Sequence, residues 1–189
     1  DAMTKREVYA TTGSRMKVRV FAGWDFSDAD WKANWVKAGY TRGVPMGSDL
    51  KPGKGTPKFM ISALKDPMGA NLDRVQMVKG WVDASGKMQE KVFDVVWSDP
   101  AKRKITGGKL APVGDTIDLK TASYKNTIGA PELRTVWSDP EFNPKTRAFY
   151  YLRVMEIPTP RWPVYDAVRY GAKLPKDAQL KDQERAYTS

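Results

Sequence analysis

Asp25, Asp28 and Asp30 place three carboxylates within six residues. Alternating carboxylates can take a hard divalent cation, but the spaced glycine and terminal bidentate glutamate of a calcium loop are missing. A short helix starting after Ser27 accounts for the same residues more simply, with Ser27 as N-cap and Asp28 and Asp30 at the positive helix end. Trp24, Trp31 and Trp35 lie beside a glycine-rich stretch and are the candidates for stacking on a flat ligand such as a sugar ring. The competing reading is that they pack in the core and at strand ends. Arg153 and Glu156 interrupt an apolar strand on opposite faces, so each needs a partner. A structural ion pair is favoured over catalysis, because spacing places no second acid or base nearby. In Pro158-Thr159-Pro160-Arg161-Trp162-Pro163, three prolines fix the backbone and present Arg161 and Trp162 on a stiff loop. That loop is either a rigid crossover or a contact with an anion or a neighbouring domain. Arg15, Arg153, Arg161 and Trp162 are the candidates for such a contact. No residue is assigned a catalytic role, and none is assigned to a metal.

Composition narrows the chemistry further. The 189 residues include no cysteine and no histidine. Disulfides, thiolate metal sites and a cysteine nucleophile are therefore excluded, and a zinc site or a Ser-His-Asp triad within this chain is not expected. A carboxylate site for magnesium or calcium stays open, and with it a weaker reading as a carboxylate-only metal hydrolase. The net charge is +10, from 32 basic and 22 acidic residues. The excess is spread along the chain rather than gathered into a stripe, so a nucleic-acid partner is not expected. No apolar window approaches the roughly 18 residues of a membrane-spanning helix.

The positioning elements follow from periodicity. Arg147–Ile157 (RAFYYLRVMEI) reads as the central strand, apolar on both faces and covered on both. Arg15–Gly23 alternates with Met16, Val18 and Val20 facing in. Lys58–Lys65 is a strand closed by Asp66-Pro67. Leu72–Asp83 and Lys87–Trp97 form a hairpin across Ala84-Ser85-Gly86. Gly39–Thr56 reads as one long lid-like loop, and Lys102-Arg103-Lys104 as part of an exposed turn. Trp97-Ser98-Asp99-Pro100 recurs as Trp137-Ser138-Asp139-Pro140, which reads as one corner used twice: tryptophan packing at the strand end, aspartate bonding backbone, proline stopping the ladder. The expected architecture is mainly β, an antiparallel β-sandwich-like domain over residues 14–172 with one or two short helices and long loops. Residues 1–13 are expected as a connector from an N-terminal region, and residues 173–189 as a polar tail over the surface or a fraying end.

Three runs carry a resemblance: KREVYATTGSRMKVRVFAGWDF, NLDRVQMVKGW and PELRTVWSDPEFNPKTRAFYYLRVMEIPTPRW. Together they resemble the C-terminal part of a large bacterial family of unknown function, whose N-terminal part is similar to the PHP (polymerase and histidinol phosphatase) metallohydrolases. The resemblance implies a larger metal-dependent, phosphoesterase-like hydrolase, with its divalent metal held by histidines and carboxylates of the N-terminal part. This chain, lacking histidine, can carry none of those histidine ligands, so no cofactor is expected within it. Its implied role is non-catalytic: it would pack against, or roof, the catalytic region of the same polypeptide, through Gly39–Thr56 and Thr159–Trp162. A periplasmic or secreted location is implied by the same resemblance. The alternative is a free-standing module binding carbohydrate or a polyanion through coplanar exposed aromatics.

Overall fold

A computed structural model describes residues 1–189. In chain order the strands are β1 (Tyr9–Thr11), β2 (Lys17–Gly23), β3 (Gly43–Pro45), β4 (Lys58–Leu64), β5 (Leu72–Val82), β6 (Met88–Trp97), β7 (Ile105–Thr106), β8 (Lys109–Leu110), β9 (Glu132–Ser138), β10 (Ala148–Glu156), β11 (Thr159–Pro160), β12 (Lys181–Asp182) and β13 (Arg185–Thr188). The helices are α1 (Ala2–Lys5), α2 (Trp35–Arg42) and α3 (Trp162–Tyr170), with a 3-10 turn at Asp28–Lys32. All pairings are antiparallel. One sheet runs β1-β13-β10-β5-β6 and the other β3-β2-β4-β9, with two-stranded ribbons β11-β12 and β7-β8 beside them. The chain is mainly β, as its alternation predicts.

The two large sheets pack face to face because each strand turns alternate side chains inward. Met16, Val18, Val20, Ile61, Ala63 and Leu133 come from one side, and Val75, Met77, Leu152, Val154 and Ala186 from the other. Each large aliphatic chain buried there contributes about 1.5–3 kcal/mol. A smaller cluster, Phe21, Phe26 and Met60, lies apart from this core, with Trp31, Trp35 and Val36 packed on it. Gly39 of α2 allows that packing: a Cβ there would stand 2.3 Å from the Phe21 ring.

The structure departs from the expectations at five places. β10 is central in hydrogen bonding, between β5 and β13, but only its inner face is dry. On the outer face Phe149 is 63% exposed and Tyr151 and Arg153 are half-buried. The expected Gly39–Thr56 loop begins with the end of α2 and with β3, which pairs with β2 at Phe21↔Pro45. Pro158–Pro163 is no free loop: Thr159 and Pro160 pair with Asp182 and Lys181, and Trp162 then opens α3. Pro163 is tolerated in that first turn, where its missing N–H has no intrahelical acceptor. Arg103 turns inward instead of lying on an exposed turn. It reaches Asp73 Oδ1 at 2.6 Å and donates to the carbonyls of Ala111, Ser98 and Asp73.

The fifth departure concerns the chain ends. Residues 9–11 and 185–188, which fall outside the expected sandwich boundaries, are strands of the five-stranded sheet. Ala186 is buried against the core, and the Thr188 hydroxyl accepts from the Leu152 N–H at 2.9 Å. A strand of four residues shows too little periodicity to be seen; its place is made by the open edge of β10.

Candidate functional site

A cleft of about 530 Å³ opens at the end of the sandwich where β10 stops. The β4–β5 turn supplies Asp66, Met68 and Gly69. The β1–β2 connection supplies Ser14, the β12–β13 segment Asp182 and Glu184, and α3 Trp162 and Tyr165. Tyr124 closes one wall. Its loop is held by Asn71, whose N–H donates to Asn126 Oδ1 (2.7 Å) and whose side-chain amide donates to the Ile128 carbonyl (2.9 Å).

Glu156 lies in the cleft and is 2% exposed. Alternation puts it on the same face as Val154, and the ladder shifts register beside it, with Arg74 opposite Met155 and Leu72 opposite Glu156, so the extra residue is Asp73 of β5. No hydrogen bond reaches Glu156 Oε1, and none reaches the nearby Ser14 Oγ. Burial pushes the Glu156 carboxyl up to about 7, reinforced by the charges of Glu184 and Asp66; the Ser14 hydroxyl beside it and, more weakly, Lys65 oppose the shift. Burial and then the Glu156 charge also raise the Tyr124 hydroxyl.

The other acids of the cleft are already engaged. Asp66 Oδ2 accepts from the Arg15 backbone N–H at 2.7 Å and from its guanidinium at 3.3 Å, while Oδ1 accepts from Met68 N–H at 2.9 Å. The Arg15 and Met68 backbone donors hold Asp66 below the usual carboxylate range. Glu184 accepts from the Thr12 hydroxyl, and Asp182 from the Gln183 N–H at 2.8 Å. The Lys65 ammonium is spent on the carbonyls of Asp66 (2.8 Å) and Gly69 (3.0 Å). Arg161 donates to Gln179 Oε1 at 2.9 Å.

Of the residues singled out in sequence, the cleft thus brings together Arg161 and Trp162, with Arg15 at its rim. Trp162 is 68% exposed. Arg153 lies elsewhere, on the outer face of the five-stranded sheet. Its partner is Gln76 Oε1 at 2.8 Å, so the expected structural ion pairs of Arg153 and Glu156 do not form. Trp24 donates to the Lys51 carbonyl at 3.2 Å and meets Phe142 edge-on. Trp31 and Trp35 tilt by 51° to each other and are half-buried over Phe21 and Phe26. The three indoles share no plane. Ser27 N–H donates to Asp30 (2.9 Å), and Arg42 pairs with Asp25 and Asp30, so these acids serve the 3-10 turn and its neighbour.

The two Trp-Ser-Asp-Pro corners also diverge. Asp139 Oδ1 accepts from the Glu141 N–H (2.8 Å), and Oδ2 binds Lys79 (2.5 Å) and the Tyr150 hydroxyl (2.7 Å). Asp99 instead has a positive φ of 51° and caps the next turn through its backbone carbonyl.

Sequence reading missed the acids Asp66, Asp182 and Glu184 and the tyrosines Tyr124 and Tyr165. They come from four separate segments, and no spacing links those segments. The one available signal was Glu156 itself, an acid in an apolar strand.

The sequence comparison decides the family. This chain belongs to the family described as a protein of unknown function, DUF3604, whose model matches residues 1–189. No curated protein and no solved structure matches this DUF3604 chain. None of its helices is long and apolar enough to cross a membrane.

Proposed function

We propose that this DUF3604 chain is the non-catalytic C-terminal accessory unit of a larger PHP-like, metal-dependent hydrolase that works in the periplasm or outside the cell. In this reading the divalent metal and the catalytic residues belong to the N-terminal region of the same polypeptide, and the sandwich packs against that region. The family resemblance suggests the reading. The observation that carries it is an apolar patch left open on the outer face of the five-stranded sheet. Phe149 is 63% exposed, Val82 55%, Met88 89% and Val92 39%. The four are neighbours in the ladder, since Val82 pairs with Met88, Phe149 with Gly80, and Val92 with Val78. The Phe149 ring packs against Gly80, where a Cβ would stand 2.2 Å from it. Side chains this apolar and grouped mark a surface that another surface covers.

Hydrogen exchange on the native protein tests the proposal against this chain alone. Peptides spanning 78–92 and 147–151 exchange more slowly in the native protein, and Phe149→Asp removes that difference. A native protein with no PHP-like region, or equal exchange of these strands in both forms, overturns it.

A further inference from the structure

The geometry points to the Glu156 cleft as a binding site for a small organic ammonium group, held by the free Glu156 oxygen and covered by the Trp162 ring. Glu156 Oε1 is buried without a hydrogen bond, and a buried acceptor left empty costs about 1–3 kcal/mol. Gly69 keeps the space in front of it open, for a Cβ there would lie 3.5 Å from Oε1. A donor entering the cleft meets Oε1 with the Ser14 hydroxyl beside it.

The surroundings select the charge of that donor. Four carboxylates line the cleft: Asp66 and Asp182 are paired with Arg15 and Arg185, Arg161 is bonded to Gln179, and Glu156 and Glu184 have no ion-pair partner. Within a chain of net charge +10 this is a local excess of negative charge that repels anions and attracts cations. A bare divalent ion needs several oxygens at once. Asp66 has both oxygens occupied by N–H donors, and no three acids stand close enough to share a metal ion. The Glu156 carboxylate suits a hydrogen-bonding ammonium, and the exposed ring of Trp162 with Tyr165 beside it offers the aromatic faces that such cations favour.

The inference does not depend on the accessory-unit reading, since the Glu156 cleft and the Phe149 patch use different residues. Two sources share the chemistry: a lysine side chain of a protein, and a free alkylamine. Calorimetric titration of the full chain with Nα-acetyl-lysine methylamide and with 1,5-diaminopentane separates them, and Nα-acetyl-norleucine methylamide is the neutral control. Saturable binding of at least one amine is expected, tighter for whichever source is native, with no heat from the control. Affinity rises between about pH 5.5 and about pH 8.5, as Glu156 gives up its proton while the amine stays charged. The groups that set this titration from the packed elements are Asp66, Lys65, Glu184, Asp182, Arg161 and Tyr124. Glu156→Gln lowers the affinity about tenfold or more and flattens the pH dependence. Trp162→Ala, at an exposed position that folding does not need, weakens binding severalfold. Failure of both amines to bind overturns the inference. So does binding that ignores Glu156→Gln and Trp162→Ala alike, or equal binding of the norleucine control.

Discussion

At the scale of single residues, Glu156 is where folding and binding pull against each other. Its carboxyl rises from 4.5 to about 7 because burial disfavours the charged form. A raised carboxyl favours the folded state fully below the unfolded value of 4.5, and that contribution is lost as pH rises through about 7. Glu156→Gln is accordingly expected to match the parent near about pH 4 and to exceed it by about 1–3 kcal/mol at about pH 8. Urea unfolding at the two values measures the gap; a Gln variant that is no more stable at the alkaline end would show that the carboxylate is already satisfied. Arg103 is the opposite case. It is just as buried, but every direction of its guanidinium meets an acceptor, among them Asp73, Ser98 and Ala111. Such a group serves structure, and it leaves nothing for a ligand.

Among the elements, β13 does the most for its length. It lies between β1 and β10, buries Ala186, and uses the Thr188 hydroxyl to accept the Leu152 N–H. The segment just before it supplies Gln183, whose amide donates to Asp73 Oδ2 (2.9 Å) and to the Glu156 carbonyl (2.8 Å). That glutamine ties the cleft to the buried Arg103–Asp73 pair. Thr188→Val keeps the shape and leaves the Leu152 N–H without its acceptor. A loss of about 1–2 kcal/mol is expected in chemical denaturation, together with faster exchange of the Leu152 amide. An unchanged Leu152 amide would mean that β13 does not cover it in solution.

For the molecule as a whole, the sandwich is closed by apolar contact and locked at one end by charge. Lys79 of β5 and Asp139 beyond β9 come from different sheets and meet at 2.5 Å, nearly shielded from solvent. Tyr150 and the Glu141 N–H complete the group. Burial alone would raise Asp139, but Lys79, Tyr150 and the Glu141 N–H together hold it below the usual range. A depressed carboxyl stabilises the fold above its unfolded value and loses that effect as pH falls through the folded one. Lys79→Met removes the cation and strands the carboxylate, so a loss of about 3 kcal/mol is expected at neutral pH. The deficit narrows below about pH 4, where the parent also loses the pair. Thermal or urea unfolding across that range reads it, and a deficit independent of pH would assign the effect to packing of the lysine stem instead.

Local pattern determined much of this protein. The alternation of Met16, Val18 and Val20, the paired runs about Ala84-Ser85-Gly86, and the apolar spacing of Leu152 and Val154 follow from two-residue periodicity, so the mainly β architecture was legible from the chain. Arg161 and Trp162 also stood out before any folding, because three prolines frame them. Tertiary structure decided what no local pattern encodes. The short β13 exists because β10 has an edge to fill, and Arg103 is buried because Asp73 waits thirty residues away. The cleft exists because folding brings Glu156, Asp66, Glu184 and Trp162 together from four separate segments. Periodicity reports how a residue faces its own element; which distant charges it meets there is settled only when the sheets pack.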